Sequence, residues 1–399
     1  MRCASITISS SADAAADGEL PIVHIPGTAQ TCGIRVVRDW PAGYLLTGYG
    51  ASEGASEVRL RRWDPAGPAI CRRRRGRGFS YTDPDGQPIA DEAVLQRIAN
   101  LVIPPAWRDV RICPWPNGHL QAVGTDDAGR RQYLYHPAWR ELRDREKFYR
   151  LRLFAERLPS ARAQIAADLA TRGLNRRRVL ATAARLLDIG FFRIGGEEYA
   201  EDNGSYGLAT VLREHVSMAR NGTVIFDYPA KWGLQRIHAI ADQDVVSVIQ
   251  ALRRRREPGE SLLAYYEGRQ WKRVRSEEIN DYLKEIFGTE VTAKDFRTWH
   301  ATVLAAVSLS VVQHTGSRTA RKRALAHTMR EVSHYLGNTP AVSRSSYVDP
   351  HVVEAYEQGE TVASALDGLG DTAVGDLATH GRVEEAVLKL LNARHPTGV

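Results

Sequence analysis

Apolar residues change their spacing along this chain, and the change divides it. Residues 1 to about 60 are rich in Ser, Ala and Gly with little periodicity, which predicts a poorly ordered extension over residues 1–65. Between about 66 and 150, short alternating runs separated by turn residues predict a small β-rich domain. Strands are expected over Gly76–Tyr81, around Ile89, over Val110–Pro114, over His119–Gly124 and through Tyr133–Tyr135. One helix is expected over Asp91–Leu101, stopped by Pro104-Pro105. From Pro137 onward apolar residues recur every three or four positions. That spacing predicts helices over Trp139–Leu153, Leu158–Thr171, Arg177–Ile189, Asp242–Arg255, Ser276–Phe287, Lys294–Val311 and Arg318–Leu336. The strand Gly222–Tyr228 interrupts them, introduced by an Asn221-Gly222 hairpin turn. The fold class expected is therefore α+β: a β-rich domain over 66–150, a mainly α-helical domain over 151–365 and a C-terminal tail over 366–399.

Charge sharpens this picture. Lys plus Arg number 54 against 47 acids, a net charge of +7. The excess is clustered in Arg72–Arg75 with Arg77, Arg176–Arg178, Arg253–Arg256 and Arg321-Lys322-Arg323, which tilts the reading toward a phosphate-rich partner. Cys3, Cys32, Cys71 and Cys113 are scattered, without the paired spacing of a zinc site or a disulfide framework, so a reducing cytoplasm is the default location. No apolar run has the length of a membrane span, and no secretory signal opens the chain.

The candidate chemistry lies late in the chain. A phenol can attack a phosphodiester and hold the product as a phosphotyrosine. Tyr347 closes the string Gly337-Asn338-Thr339-Pro340-Ala341-Val342-Ser343-Arg344-Ser345-Ser346-Tyr347. Such a reaction also needs stabilised charge on the non-bridging oxygens and a proton for the leaving 5′ oxygen. Arginine suits the first task and a partly desolvated lysine the second. Arg193, in Phe191-Phe192-Arg193-Ile194-Gly195-Gly196, and Arg297, at the start of an apolar helix, are candidates for charge stabilisation. Lys231, just after the hairpin strand, is the candidate acid. Taken one at a time, each of these residues is as well read as a structural ion pair or a packing contact.

Together the strings resemble type IB DNA topoisomerases of the poxvirus-like kind found in bacteria. That family uses an Arg, a Lys from a β-hairpin, an Arg in a Lys-x-x-Arg string, a His or Asn, and a Tyr. The matching positions are Arg193, Lys231, Arg297, Asn338 and Tyr347. Ile103-Pro104-Pro105-Ala106-Trp107, Gly118–Ala122 and Gly129–Pro137 resemble the family's N-terminal DNA-clamping domain, and Tyr199–Leu208 resembles its segment after the first Arg. The resemblance covers roughly residues 66–360. It implies a catalytic domain of the topoisomerase IB and tyrosine recombinase type. It also implies relaxation of supercoiled DNA through a 3′-phosphotyrosyl intermediate, strand swivelling and religation, with no ATP, metal or other cofactor. Tyr347 would be the nucleophile, Arg193 and Arg297 the charge stabilisers, Lys231 the acid and Asn338 a hydrogen-bond donor to a non-bridging oxygen. Double-stranded DNA is the implied partner, with no membrane involved, the protein acting as a monomer in the cytoplasm on the nucleoid.

The chain departs from the family pattern in places. Ala230 stands where the family usually has Gly before the hairpin Lys, with Pro229 before it and Trp232 after it. Asn338 replaces a common His, and Gly196 and Glu198 occupy positions where some relatives have lysines. Arg130, Gln132, Tyr133 and Tyr199 are the expected DNA contacts, through base edges or phosphate. The alternative for Tyr133 is a structural place, with Tyr133 and Tyr135 on opposite faces of one strand and one of them buried. His136 is read as structural. Two other functions fit part of the pattern. A tyrosine recombinase shares the chemistry, but Lys294-x-x-Arg297 differs from the usual His-x-x-Arg. A non-catalytic DNA-binding clamp would keep the fold without cleavage.

Overall fold

A computed structural model describes residues 45–47, 59–256, 259–311, 317–366 and 380–394. Most of the expected N-terminal extension thus lies outside the described residues. The N-terminal unit is built around a five-stranded antiparallel sheet. Strands β1 (Leu45–Thr47) and β2 (Arg59–Arg61) pair separately. The sheet itself comprises β3 (Ile70–Arg75), β4 (Gly78–Thr82), β5 (Arg108–Ile112), β6 (Leu120–Thr125) and β7 (Arg131–Tyr135), in the order β4-β3-β5-β6-β7. Helix α1 (Glu92–Asn100) is capped by Asp91, whose side chain accepts from Ala93 and Val94. Ile98 of α1 closes one face of the sheet over Ile70, Val110, Ile112 and Ala122. Trp63, Ala69, Cys113, Leu120 and Val123 form a second small core. Trp63 is buried and Leu60 lies within β2, so the packed chain starts before residue 66.

The helical unit opens with α2 (Pro137–Leu169), a single 33-residue helix where two were expected. Pro159 sits inside it. The helix continues because Phe148, Leu151, Phe154 and Leu158 on one side of the proline, and Ala161, Ile165 and Leu169 on the other, are all buried in one core. That burial outweighs the lost backbone bond, which alone costs about 3 kcal/mol. After it come α3 (Arg176–Gly190), α4 (Glu197–Asn203) and a three-stranded antiparallel sheet of β8 (Val216–Met218), β9 (Val224–Pro229) and β10 (Gln235–Ile240) with β9 in the centre. Then follow α5 (Gln243–Arg254), the hairpin β11 (Ala264–Glu267) and β12 (Gln270–Arg273), α6 (Ser276–Phe287), α7 (Ala293–Val311), α8 (Arg318–Leu336), α9 (Pro340–Ser346), α10 (Pro350–Glu357), α11 (Ala363–Leu366) and α12 (Arg382–Arg394). Phe154 stacks on Phe287 and meets Phe296 edge-on at the heart of this core.

Two expected boundaries move. Residues 150 and 151 both lie within α2, so the chain does not divide there. The segment expected as a tail contains α12, whose Val383, Val387 and Leu391 belong to the core. Glu384 anchors it, accepting from Arg162 at 2.6 and 3.0 Å and from Trp299 Nε1 at 2.8 Å. No helix among the described residues is long and apolar enough to cross a membrane.

Some members of the arginine runs are structural. Arg72 donates to the carbonyls of Pro104 and Trp107 and lies over the Phe79 ring. Arg176 pairs with Glu278, and Arg177 with Asp168 and Glu285. Arg255 is buried against the carbonyls of Leu252, Ser261 and Leu262. Arg73, Arg74, Arg75 and Arg77, like Arg321-Lys322-Arg323 on α8, form no ion pair among the described residues.

Candidate active site

The site is organised by the C-terminal end of α8. Gly337 adopts a left-handed conformation, φ 61°. Its N–H donates to His334 O at 3.2 Å, and Asn338 N–H donates to Ser333 O at 3.0 Å. This glycine-based closure leaves later carbonyls of the helix without intrahelical donors. Three arginines from distant parts of the chain supply them. Arg297 Nη2 donates to Leu336 O at 2.7 Å, and its Nη1 donates to Phe191 O. Arg193 Nη2 donates to Gly337 O at 2.8 Å and to Asn338 Oδ1. Arg236 reaches His334 O at 3.2 Å through Nη1 and Tyr335 O at 2.5 Å through Nη2. None of the three forms an ion pair with a carboxylate among the described residues. The negative end of the helix dipole partly offsets the cluster.

Local sequence explains how each group arrives. α3 ends at Phe191, itself left-handed at φ 55°, so the chain turns sharply two residues before Arg193. Gly195 then packs on Gly207, where a Cβ on Gly195 would lie 2.8 Å from Gly207 Cα. Leu208 N–H donates to Arg193 O at 2.8 Å, which ties the segment after α4 to the arginine backbone. Lys231 stands exposed in a single turn of 3₁₀ helix, Lys231–Gly233, at the tip of the β9–β10 hairpin. It lines a shallow depression with Arg193, Arg236, Arg297, Tyr206 and Tyr228. Ala230, before it, has an extended backbone at φ −104°, so no glycine is demanded there.

Asn338 and Tyr347 flank one short helix. Thr339 caps α9, Pro340 occupies its first turn and Tyr347 ends it, donating its N–H to Ser343 O at 3.1 Å. Buried Thr302 on α7 fixes the exit, its Oγ1 accepting from Asp349 N and lying 3.2 Å from Tyr347 O. The half-buried Tyr347 ring lies 5.7 Å from the Arg297 guanidinium carbon and 5.9 Å from Lys294 Nζ.

These placements shape the electrostatics. Burial alone would raise the Tyr347 phenol, but the charges of Arg297, Lys294 and Arg193 outweigh it and hold the phenol below its ordinary value. Burial, reinforced by Arg193, brings Arg297 down to about 10. His238, on the inward face of β10, is pushed down to about 3 by burial and by Arg236 and Arg297. Two buried donors in the site have no partner: Asn338 Nδ2 and Arg297 Nε. A phenol with an eased proton, several uncompensated cations and spare donors together suit attack on a phosphodiester.

Comparison with known proteins gives the family. Residues 136–366 match the family described as eukaryotic DNA topoisomerase I, catalytic core, and residues 78–126 match bacterial DNA topoisomerase IB, N-terminal domain. DNA topoisomerase 1B of Acanthamoeba polyphaga mimivirus is 30% identical over 298 residues, which cover 72% of this chain and 87% of the viral protein. This chain is a type IB DNA topoisomerase. DNA topoisomerase 1 of Candidozyma auris and of Candida albicans are each 24% identical over 176 residues, 44% of this chain and 22% and 21% of theirs. The fold of the topoisomerase, a small β-rich unit followed by a mainly helical core, is that of its family, and its activity is the relaxation of supercoiled DNA.

Of the residues expected to act, Arg193, Arg297 and Asn338 meet at the end of α8, Tyr347 lies beside Arg297, and Lys231 stands at the rim. The expected DNA contacts do not join them. Arg130 and Gln132 both bind Asp126, the arginine through a 2.8 Å ion pair that holds the Asp126 carboxyl below its ordinary value. Tyr133 and Tyr135 do not take opposite faces, because residues two apart on a strand point the same way. Both are exposed and their rings stack at 6.3 Å. Tyr199 falls within α4, but its side chain lies outside the described residues. His136 is structural, its Nδ1 capping α2 by accepting from Ala138 N. Arg236 was not foreseen. Its signal was present, since strand alternation puts it on the same inward face as His238 and Ile240.

Proposed function

We propose that Tyr347 is the nucleophile of this topoisomerase and that the groups gathered around the end of α8 carry its reaction. Tyr347 attacks the scissile phosphate and forms a 3′-phosphotyrosyl bond while the 5′ oxygen leaves. Arg193 and Arg297 stabilise charge on the non-bridging oxygens. Asn338 presents Nδ2 to one of those oxygens, its Oδ1 being held by Arg193. Lys231 donates the proton to the leaving oxygen. The free 5′ end swivels and then reverses the attack, so the bond energy stays in the phosphotyrosine. The observation that supports this reading best is the buried, unpartnered Asn338 Nδ2 beside arginines that pair with no carboxylate among the described residues.

The N-terminal sheet and the helical unit are read as two domains that close on duplex DNA, the exposed Tyr133–Tyr135 face being the surface that meets it. Action as a monomer and residence on the nucleoid belong to the same proposal. The test is relaxation of plasmid of both supercoil signs, in EDTA without ATP, with wild type beside Tyr347→Phe. Wild type alone should relax. Tyr347→Phe should bind DNA and form no covalent adduct, and cleavage by that variant at the wild-type rate would reject the assigned nucleophile.

A further inference from the structure

Arg236 occupies the site and takes no part in the scheme above. It lies on β10, five residues beyond Lys231, and its guanidinium spans from the hairpin to the end of α8. Both terminal nitrogens are engaged there, on His334 O at 3.2 Å and Tyr335 O at 2.5 Å. It also packs against Gly337, where a Cβ would stand 3.0 Å from Nη1. Deeper on the same inward face, Tyr228 and His238 pack against Phe192. Toward the tip Leu234 is exposed, and Arg236 is the side chain that reaches the end of α8. The helix end it grips is the one that carries Asn338 and leads into α9 and Tyr347.

We infer that Arg236 is a positioning residue that locks the Lys231 hairpin to the Asn338–Tyr347 arm. It sets the distance between the proton donor on one side of the scissile phosphate and the nucleophile on the other. It bridges the hairpin that carries Lys231 and the helix end that leads to Tyr347, so it acts through the spacing of the two. A lysine has one nitrogen and cannot hold two successive carbonyls in a fork. Displacing a proton donor by about 1 Å costs about 10²-fold in rate. This inference rests on Lys231 being the general acid.

The experiment compares single-turnover cleavage of an ordinary oligonucleotide duplex with one whose scissile bond has a bridging 5′ sulfur. A thiolate leaves without a proton, so the second substrate makes the acid dispensable. Arg236→Ala should lose about 10²-fold on the oxygen substrate and recover most of it on the sulfur substrate, with DNA affinity near wild type. Arg236→Lys should show a smaller loss with the same recovery, and it carries the test if the alanine variant does not fold. Equal losses on both substrates, or no loss on either, would overturn the inference. Lys231→Ala, run alongside, separates the two readings. If sulfur rescues Lys231→Ala and not Arg236→Ala, only the role of Arg236 fails. If sulfur rescues neither, the general-acid assignment falls and the inference falls with it.

Discussion

Replacing Asn338 with Asp keeps the shape of the side chain and reverses its meaning in the site. In the native protein Oδ1 accepts from Arg193, and buried Nδ2 is a donor in reserve. Asn338→Ala removes that donor, and loss of one preorganised donor to a reacting oxyanion costs about 10² to 10³ in rate. Asn338→Asp removes it too and adds a negative charge where the phosphate must sit. At about 4 Å and an effective dielectric near 20, two like charges repel by about 4 kcal/mol. Arg193 would share the new carboxylate and absorb part of this, leaving a further loss of about 10² relative to alanine. The free protein should not be destabilised, since the carboxylate gains Arg193 as a partner. The assay is single-turnover cleavage on a suicide duplex whose severed strand diffuses away, with thermal melting as the folding control. Asn338→Asp cleaving as fast as Asn338→Ala would refute the placement of Nδ2 toward the phosphate.

Two further outcomes follow from the same geometry. Gly337→Ala forces a Cβ into a left-handed position, φ 61°, and against Arg236 at 3.0 Å. It should lower stability by about 1–2 kcal/mol and slow cleavage, and a wild-type urea midpoint would count against the closure described for α8. Burial holds His300 down to about 4, below its value in the unfolded chain. The unfolded chain therefore takes up the proton first, so the stability contributed by neutral His300 is present above about pH 6.5 and is lost as pH falls toward 4. For this residue the loss between pH 7 and pH 5 is about 2 kcal/mol. Urea midpoints across that range should fall in wild type and fall less in His300→Gln; equal slopes would dismiss the assignment.

The parts legible in the sequence were those fixed by short spacing. Asn338 and Tyr347 lie on one local string, and apolar period located α1, α5, α6, α7 and α8 closely. Other features depended on what lay across the fold. The Arg72–Arg75 run has no alternation of apolar residues, so β3 was hidden inside a charge cluster. The same clusters pointed to phosphate, yet Arg72 and Arg255 turn to backbone carbonyls and Arg177 to carboxylates. The cations that do gather in the site are isolated in sequence, at 193, 236 and 297, and nothing local announces that one helix end collects them. A break was expected between Leu153 and Leu158 because apolar spacing is a local signal, whereas the burial that carries α2 through this stretch is not.

α9 is only seven residues long, with Asn338 just before it and Tyr347 at its end. If Tyr347 attacks and Asn338 steadies its target, as proposed, one short helix carries both, and displacing it takes both from the phosphate. DNA out of register would then be left uncut through mechanical linkage instead of a separate safeguard.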